Sequence, residues 1–178
     1  MLGLLNNIPA EEWVYWCVDD KYPIKINTSI FDHIYNSLNS LPSDIASVLL
    51  CRAKKLLQDE YVKEFQYPQL QIEFLERVTF HQFWAHQFIR VKLLRRIFNA
   101  MPDTIEMPTD MVKHLHKIQL FPHEKLLVSK VNNIVFGEST AKRVLTENCK
   151  LSLQENGFPM PAFYNGETSS PHFIGLMD

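Results

Sequence analysis

The chain has 178 residues, a length that fits one domain of ordinary size. Hydrophobic residues make up 46% and charged residues 21% of the sequence, which is typical of a folded globular protein and excludes a disordered one. The formal net charge of -2 excludes a general attraction to nucleic acids or anionic lipids, so either partner would require a local basic patch.

Cysteine usage and the absence of long apolar runs favour a cytoplasmic location. Cys17, Cys51 and Cys149 are odd in number and widely spaced, which is not typical of a disulfide framework or a zinc knuckle. The N-terminal sequence lacks the basic and apolar regions of a signal peptide. The longest uncharged apolar run is shorter than the ~18 residues of a membrane span. We therefore expect a cytoplasmic protein that does not insert into membranes.

The first third of the chain predicts helices joined by short links. Residues 9–19 begin with a proline and two glutamates, which are typical of a first helical turn. Residues 22–27 predict a short extended link, and Thr28 or Ser29 can cap the next helix. Pro42 opens a further helix over residues 42–66, which has one apolar side.

The run over residues 69–99 predicts the central helix of the fold. Apolar side chains fall on both of its faces, as expected of a helix that other helices surround. The alternating apolar residues of 70–80 also fit a strand, so the choice between strand and helix stays open for that part.

The second half predicts three more helices and an irregular tail. The helices cover residues 109–120, 122–137 and 139–156, and Gly157 ends the last of them. The tail over 157–178 is rich in proline, glycine and aromatic residues, so it is not helical. Its aromatic residues indicate that it packs on its own domain, with docking on a partner as the alternative.

These elements together predict an all-α protein with a compact helical bundle. We expect six or seven helices around the buried run 69–99, with one short β segment at most. The helical domain covers residues 1–156, and the tail packs on it.

The basic end of the predicted central helix is the candidate binding site. Lys92, Arg95 and Arg96 lie within about one third of the helix circumference, and Arg90 precedes them. Such a group could bind a phosphate or an acidic partner. The alternative is a solvated helix end, where cations gain from the helix dipole.

Two histidines of the same run offer a second candidate site. His81 and His86 are ~140° apart on a helix and cannot easily share one metal ion. An enzyme pocket formed by either histidine with Trp84 is therefore one alternative, and two hydrogen-bonded imidazoles inside the protein are the other. No set of metal ligands and no cofactor loop emerges, so we expect no cofactor.

The aromatic residues near the N-terminus are expected to anchor the core. The alternative is that they line a ligand pocket or an interface. They are Trp13, Tyr15 and Trp16, together with Trp84.

Part of the central run resembles a motif of flavin-dependent thymidylate synthases. The matching positions are Ala85, Gln87, Arg90 and Lys92. Val91 replaces the middle histidine of that motif. The serine, asparagine and serine that follow in the family are replaced by Arg95, Ile97 and Ala100. The resemblance covers about a dozen residues and nothing downstream extends it, so we assign neither the family nor a flavin site.

Function is inferred from what the sequence lacks. Because no cofactor loop, metal set or nucleophile motif stands out, we expect a non-enzymatic cytoplasmic protein that binds another macromolecule as an adaptor, regulator or inhibitor. The partner is expected to be a protein or a second copy of the chain. The alternatives are nucleic-acid or nucleotide-phosphate binding through the basic residues, and an enzyme with a pocket around His81, His86 and Trp84.

Overall fold

The computed structural model describes residues 2–51, 61–66, 70–77, 83–102, 108–115, 118, 121, 123–171 and 173–174. The helices in these residues are Leu2–Leu5 (α1), Thr28–Ser37 (α2), Val91–Asn99 (α3), Pro108–Leu115 (α4) and Glu147–Glu155 (α5), with a 3-10 turn at Leu38–Ser40. The strands are Trp13–Trp16 (β1), Lys21–Ile26 (β2), Ile45–Leu49 (β3), Tyr61–Gln66 (β4), Glu73–Arg77 (β5), Gln87–Arg90 (β6), Lys125–Ser129 (β7), Ile134–Glu138 (β8), Thr140–Ala141 (β9), Val144–Leu145 (β10) and Phe173–Ile174 (β11).

The prediction of an all-α helical bundle is wrong, because the described residues form mixed helix and sheet. A six-stranded sheet has the order β1-β6-β3-β7-β5-β4, and a second sheet has the order β11-β8-β2. Strands β9 and β10 form a separate hairpin. The chain is therefore an α/β protein with short helices.

The six-stranded sheet is antiparallel except at its centre. Strands β3 and β7 run parallel, and their neighbours β6 and β5 pair with them in the antiparallel sense. All five residues of β3 are buried, because both faces of the sheet are covered. A strand covered on both faces needs no polar side and therefore reads as a continuous apolar run.

Two apolar cores lie on opposite faces of this sheet. One face packs against α2 and the three-stranded sheet, with Ile34, Phe88 and Phe136 in its core. The other face packs against α1, α3 and α4, with Leu5, Ile97 and Leu115 in its core. Helix α5 contacts β8 of the second sheet.

The predicted central helix over 69–99 is wrong for most of its length. The run contains strand β5, strand β6 and only then helix α3, which begins directly at the end of β6. Apolar residues on both faces of a short run fit a strand buried on both sides as well as a buried helix, so periodicity did not separate them. The strand alternative for residues 70–80 is confirmed over Glu73–Arg77, and residues 78–80 lie outside the described part.

Some of the remaining segment predictions are confirmed and others are wrong. The extended link became β2, the helix from Thr28 became α2, and α4 lies where a helix was expected. The segments 9–19 and 122–137 form strands instead of helices, and 42–66 forms strands β3 and β4 where the structure describes it. Helix α5 starts later than expected but ends before Gly157, which has the left-handed φ of +69° typical of a helix end.

The tail makes backbone contacts with its own chain. Ser169 forms a parallel bridge with Thr146, and its amide donates to Leu145 O at 2.8 Å. Strand β11 pairs with β8 through Phe173 and Gly137. None of the helices in the described residues has both the length and the apolar character that crossing a membrane requires.

Candidate functional site

Arg90 is the most deeply buried of the four predicted cationic site residues. It ends β6, is 6% exposed, and its guanidinium lies 4.4 Å from the ring centroid of Trp13. Its burial lowers the pKa of the guanidinium, while nearby carboxylates, Glu11 first, act in the opposite direction. Its hydrogen bonds, 2.5 to 3.3 Å long, go to the backbone oxygens of Ile45, Glu11, Leu41 and Pro42.

Arg95 and Lys92 also bind groups of their own chain. The Arg95 guanidinium donates to Leu5 O at 2.5 Å and to Ile8 O at 2.6 Å, which satisfies carbonyls at the end of α1. Lys92 Nζ lies 2.9 Å from Glu11 Oε2. These two cations fix the N-terminal segment to α3.

Arg96 forms a bidentate ion pair with Glu124, with distances of 2.9 and 2.5 Å. The Glu124 side chain is 4% exposed and also accepts a hydrogen bond from Phe121 N. The Arg96 guanidinium lies 4.1 Å from the ring centroid of Phe121. The pair therefore holds the turn before β7 against α3.

An open cleft of about 270 Å³ lies beside two of these cations. Lys92 and Arg96 line it together with Phe121, His123 and Glu124. The Phe121 and His123 rings stack with an interplanar angle of 9°. Since Glu11 and Glu124 neutralise the two cations, the cleft carries little net positive charge, and phosphate binding by the four basic residues stays a prediction.

His86 lies between the aromatic rings of Tyr15 and Phe136. It is 7% exposed, its Nε2 lies 3.0 Å from Val18 O, and its ring centroid is 4.6 Å from that of Phe136. Burial lowers the pKa of the imidazole, and the Val18 carbonyl opposes this effect. The Trp84 ring packs on Trp16. His81 lies outside the described residues, so the pocket predicted around His81, His86 and Trp84 stays a prediction.

A different feature, the free edge of the six-stranded sheet at β1, offers backbone groups for binding. Among the residues that the structure describes, strand β1 pairs with β6 on one side, has no partner strand on the other, and is the last strand in the sheet order. In an antiparallel pair, successive residues point their backbone groups alternately toward and away from the partner strand. Val91 N donates to Glu12 O at 3.0 Å, so Val14 and Trp16 face β6. The N–H and C=O groups of Trp13 and Tyr15 therefore point outward.

The surroundings of Tyr15 agree with backbone groups that point away from β6. Its carbonyl oxygen accepts a weak hydrogen bond from the exposed Cys17 thiol, with a distance of 3.8 Å. Tyr15 itself is 36% exposed although it sits in a strand. Tyr15, the third residue of the strand, is therefore accessible to solvent.

Strand β1 lacks the protecting residues that the edge strand β2 carries. Strand β2, at the edge of the smaller sheet, contains Pro23, two lysines and a register shift, all of which oppose pairing with another chain. By contrast, β1 reads WVYW, without charge, proline or glycine, and is short.

An aromatic surface lies next to this edge, and we call it the Tyr15 surface. It consists of Tyr15 with Phe31 and Tyr35 of α2. The Tyr15 and Phe31 ring centroids are 5.6 Å apart, and Phe88 lies beneath both, at 4.9 and 5.3 Å. Tyr35 is 61% exposed. The free edge thus has an apolar wall on the α2 side of the sheet.

Carboxylates flank β1 on both sides. Glu11 and Glu12 precede the strand, Asp19 and Asp20 follow it, and all four are exposed. Glu11 pairs with Lys92, and Asp20 pairs with Lys21 at 3.1 Å. Within the described part of the chain, Glu12 and Asp19 take part in no ion pair. Glu12 also interacts electrostatically with the Arg90 guanidinium, so carboxylates and cations lie together at the start of the strand.

Sequence reasoning identified the aromatic residues of β1 as anchors or interface residues but placed them on a helix. Four apolar residues are too few to show a period of two, and the preceding proline and glutamates are typical of a helix start. A run of β-branched and aromatic residues between two acidic pairs is the signal that favours an edge strand.

In the residues that the structure describes, His, Cys, Asp and Glu side chains form no group of three or more that could hold a metal ion. No protein-family model matches the chain, no curated protein matches its sequence, and no solved structure matches its fold.

Proposed function

We propose that the protein works by binding another polypeptide along the free edge of β1, as an adaptor, regulator or inhibitor and not as an enzyme. The observation that carries this proposal is the pair of outward backbone faces at Trp13 and Tyr15, on an edge strand without protecting residues. The Tyr15 surface beside them supplies contacts for side chains of the bound segment.

The physical basis is the addition of a strand to an existing sheet. Main-chain hydrogen bonds then supply affinity, and the side chains on either side of the strand supply specificity. Trp13 and Tyr15 offer two N–H donors and two C=O acceptors, each hydrogen bond contributing about 0.5–1.5 kcal/mol net. Together these hydrogen bonds contribute about 2–6 kcal/mol, so a transient complex in roughly the micromolar range also needs side-chain contacts on the Tyr15 surface.

The proposal places the protein in the cytoplasm, as the cysteine pattern predicts. Cys17, Cys51 and Cys149, all in the described part of the chain, form no disulfide, which suits a reducing compartment. The proposed site does not include the four basic residues, because each is bound to groups of its own chain. They are Arg90, Lys92, Arg95 and Arg96.

A peptide selection tests the proposal without altering the protein. A phage-displayed library of random eight-residue peptides is panned on the wild-type chain, and affinities of enriched peptides are measured by fluorescence anisotropy. Each enriched peptide is then made in two N-methylated forms, one methylated at its odd and one at its even positions. In a strand, alternate amides face the protein, so one form should lose binding by about tenfold or more and the other should keep it.

Two results would overturn the proposal. The first is that no peptide is enriched on the wild-type chain. The second is that both N-methylated forms bind as well as the parent peptide, because binding would then not use main-chain hydrogen bonds. A Tyr15→Pro variant adds a check from the protein side, since it removes an outward N–H, and its circular dichroism spectrum shows whether the fold is kept.

A further inference from the structure

We infer that Asn165 is a site of spontaneous deamidation, at which the main-chain nitrogen of Gly166 attacks the side-chain amide and water completes the conversion to aspartate or isoaspartate. The inference concerns the C-terminal tail and is independent of the function proposed for β1. It follows from a comparison of the two asparagine–glycine dipeptides of the sequence, Asn165–Gly166 and Asn156–Gly157.

The reaction uses groups that are adjacent in the chain, with water as the co-reactant. The Gly166 nitrogen gives its proton to a base from solvent and bonds to Asn165 Cγ. The Cγ–Nδ2 bond then breaks, and the side-chain nitrogen takes up a proton and leaves as ammonia. Water opens the resulting cyclic imide at either carbonyl, which gives aspartate or isoaspartate. Amide and water thus become acid and ammonia, without oxidation or reduction.

The attacking nitrogen is free at Gly166 and engaged at Gly157. Gly157 N donates to Gln154 O at 3.2 Å, in the turn that follows α5. Gly166 is exposed, and its N–H donates no hydrogen bond within the described part of the chain. A hydrogen-bonded N–H loses its proton less readily, because the bond must be given up first. Since glycine also has no Cβ to hinder the approach, Gly166 N is the better nucleophile.

The two side-chain amides differ in the same sense. Asn165 Oδ1 accepts a hydrogen bond from Glu167 N at 3.1 Å, which holds the amide close to the main chain that follows it. Negative charge develops on this oxygen during the attack, so the same N–H stabilises the transition state. Asn156 instead donates from Nδ2 to Ser152 O at 2.8 Å, which directs its amide back toward α5. Asn165 is therefore the more reactive amide.

The modified position lies directly before the contacts that hold the tail. Thr168 Oγ1 donates to Glu147 Oε2, and the Ser169 amide donates to Leu145 O at 2.8 Å. Aspartate at position 165 adds a negative charge, and isoaspartate lengthens the main chain by one carbon atom. Deamidation therefore alters the chain immediately before the residues that anchor it to β10 and α5.

The test compares the two asparagines in the folded wild-type chain and in a synthetic peptide of residues 151–171. Both samples are kept at 37 °C and pH 7.5, and tandem mass spectrometry follows the gain of one mass unit at each asparagine. The peptide is too short to keep the last turn of α5, so its two sites should react at comparable rates. In the folded chain, Asn165 should react about tenfold or more faster than Asn156.

Two variants of one residue separate its N–H from its charge. Glu167→Pro removes the N–H that faces Asn165 Oδ1 and should slow the reaction at Asn165 about two- to tenfold. The matched control, Glu167→Gln, keeps the N–H and removes only the charge, so it should react at least as fast as the wild type. Circular dichroism spectra show whether both variants keep the fold.

Two results with the wild-type chain would overturn the inference. The first is that Asn165 stays unmodified in the folded chain while the peptide is converted. The second is that the rate at Asn165 relative to that at Asn156 is no higher in the folded chain than in the peptide. Equal rates at Asn165 in the wild type and in Glu167→Pro would overturn the part assigned to Glu167 N.

Discussion

The guanidinium of Arg90 lies over the indole ring of Trp13, 4.4 Å from the ring centroid, at the junction of strand β6 and helix α3. Trp13 is also the residue of β1 that pairs with Arg90 in the sheet. The contact therefore links the edge strand to the interior through one cation, which also binds carbonyl oxygens of the segment before β3.

Replacing Arg90 by lysine should destabilise the protein. Lysine keeps the charge but cannot reach several carbonyl oxygens at once or stack flat on the indole, so buried acceptors lose their donors. We expect the free energy of unfolding to fall by about 2–4 kcal/mol in urea titrations. The exposed Arg143→Lys control should change it by less than ~0.5 kcal/mol. Equal stability of Arg90→Lys and the wild type would contradict this role.

Removing the charge of Glu124 should also be costly. In Glu124→Gln, the Arg96 guanidinium faces a neutral amide instead of a carboxylate. The Glu124 side chain is only 4% exposed, so solvent cannot replace the lost charge. The expected loss is about 2–4 kcal/mol in the free energy of unfolding. The matched control is Asp110→Asn, which breaks the exposed pair with Lys113 and should cost ~1 kcal/mol or less. The interpretation fails if the two variants unfold at the same urea concentration.

Gly137 lies where no side chain fits. A Cβ atom there would be 2.5 Å from Asn148 Nδ2, 2.8 Å from Ile24 Cδ1 and 2.9 Å from Tyr22 Cζ. Gly137→Ala should therefore lower the free energy of unfolding by about 1–3 kcal/mol, as overpacking does. Gly3→Ala meets no atom within 4 Å and should be neutral or slightly stabilising. Thermal melts of both variants test this prediction. An unchanged melting temperature for Gly137→Ala would contradict it.

His86 should make stability depend on pH below neutrality. Burial lowers the pKa of the folded imidazole, whereas the unfolded chain titrates near the ordinary value of about 6.5. Above that pH both states are neutral. As pH falls below it, the unfolded state takes up a proton that the folded state does not, so stability is lost by up to ~1.4 kcal/mol per pH unit.

Urea titrations at pH 7.5 and 5.5 measure this effect. The variant His86→Gln retains a donor toward Val18 O and should lose less stability than the wild type between the two pH values. His123→Gln, which removes an exposed imidazole, serves as the control and should behave as the wild type does. An identical pH dependence in all three proteins would remove His86 as the source.

Local signals at helix ends and turns could be interpreted correctly from the sequence. Helix α2 begins at Thr28 as expected, although its cap is the side chain of Asn27 and not Thr28 or Ser29, and α5 ends just before Gly157. These features depend on a few adjacent residues and their backbone preferences, which the sequence shows directly.

The sheets were not predicted from the sequence because strand pairing depends on residues that are far apart along the chain. Strand β3 is apolar throughout since both faces of the sheet are covered, and such a run does not differ from a buried helix. Gly137 was interpreted as a helix end, but it is required by the approach of Asn148 from α5, eleven residues later, and of Tyr22 from β2. The free edge of β1 was not predicted either, because an edge is defined by the order of the strands in space.

Hydrogen exchange at the β1 amides tests the central claim most directly. The exchange rates of the Trp13 and Tyr15 amides are measured by NMR in the free wild-type chain and with a saturating concentration of a peptide enriched in the library selection, and those of Val14 and Trp16 serve as internal references. The account predicts that Trp13 and Tyr15 exchange fast in the free chain and become protected by about tenfold or more on binding, while the references change little. Unchanged exchange at Trp13 and Tyr15 under conditions where the peptide is bound would contradict it.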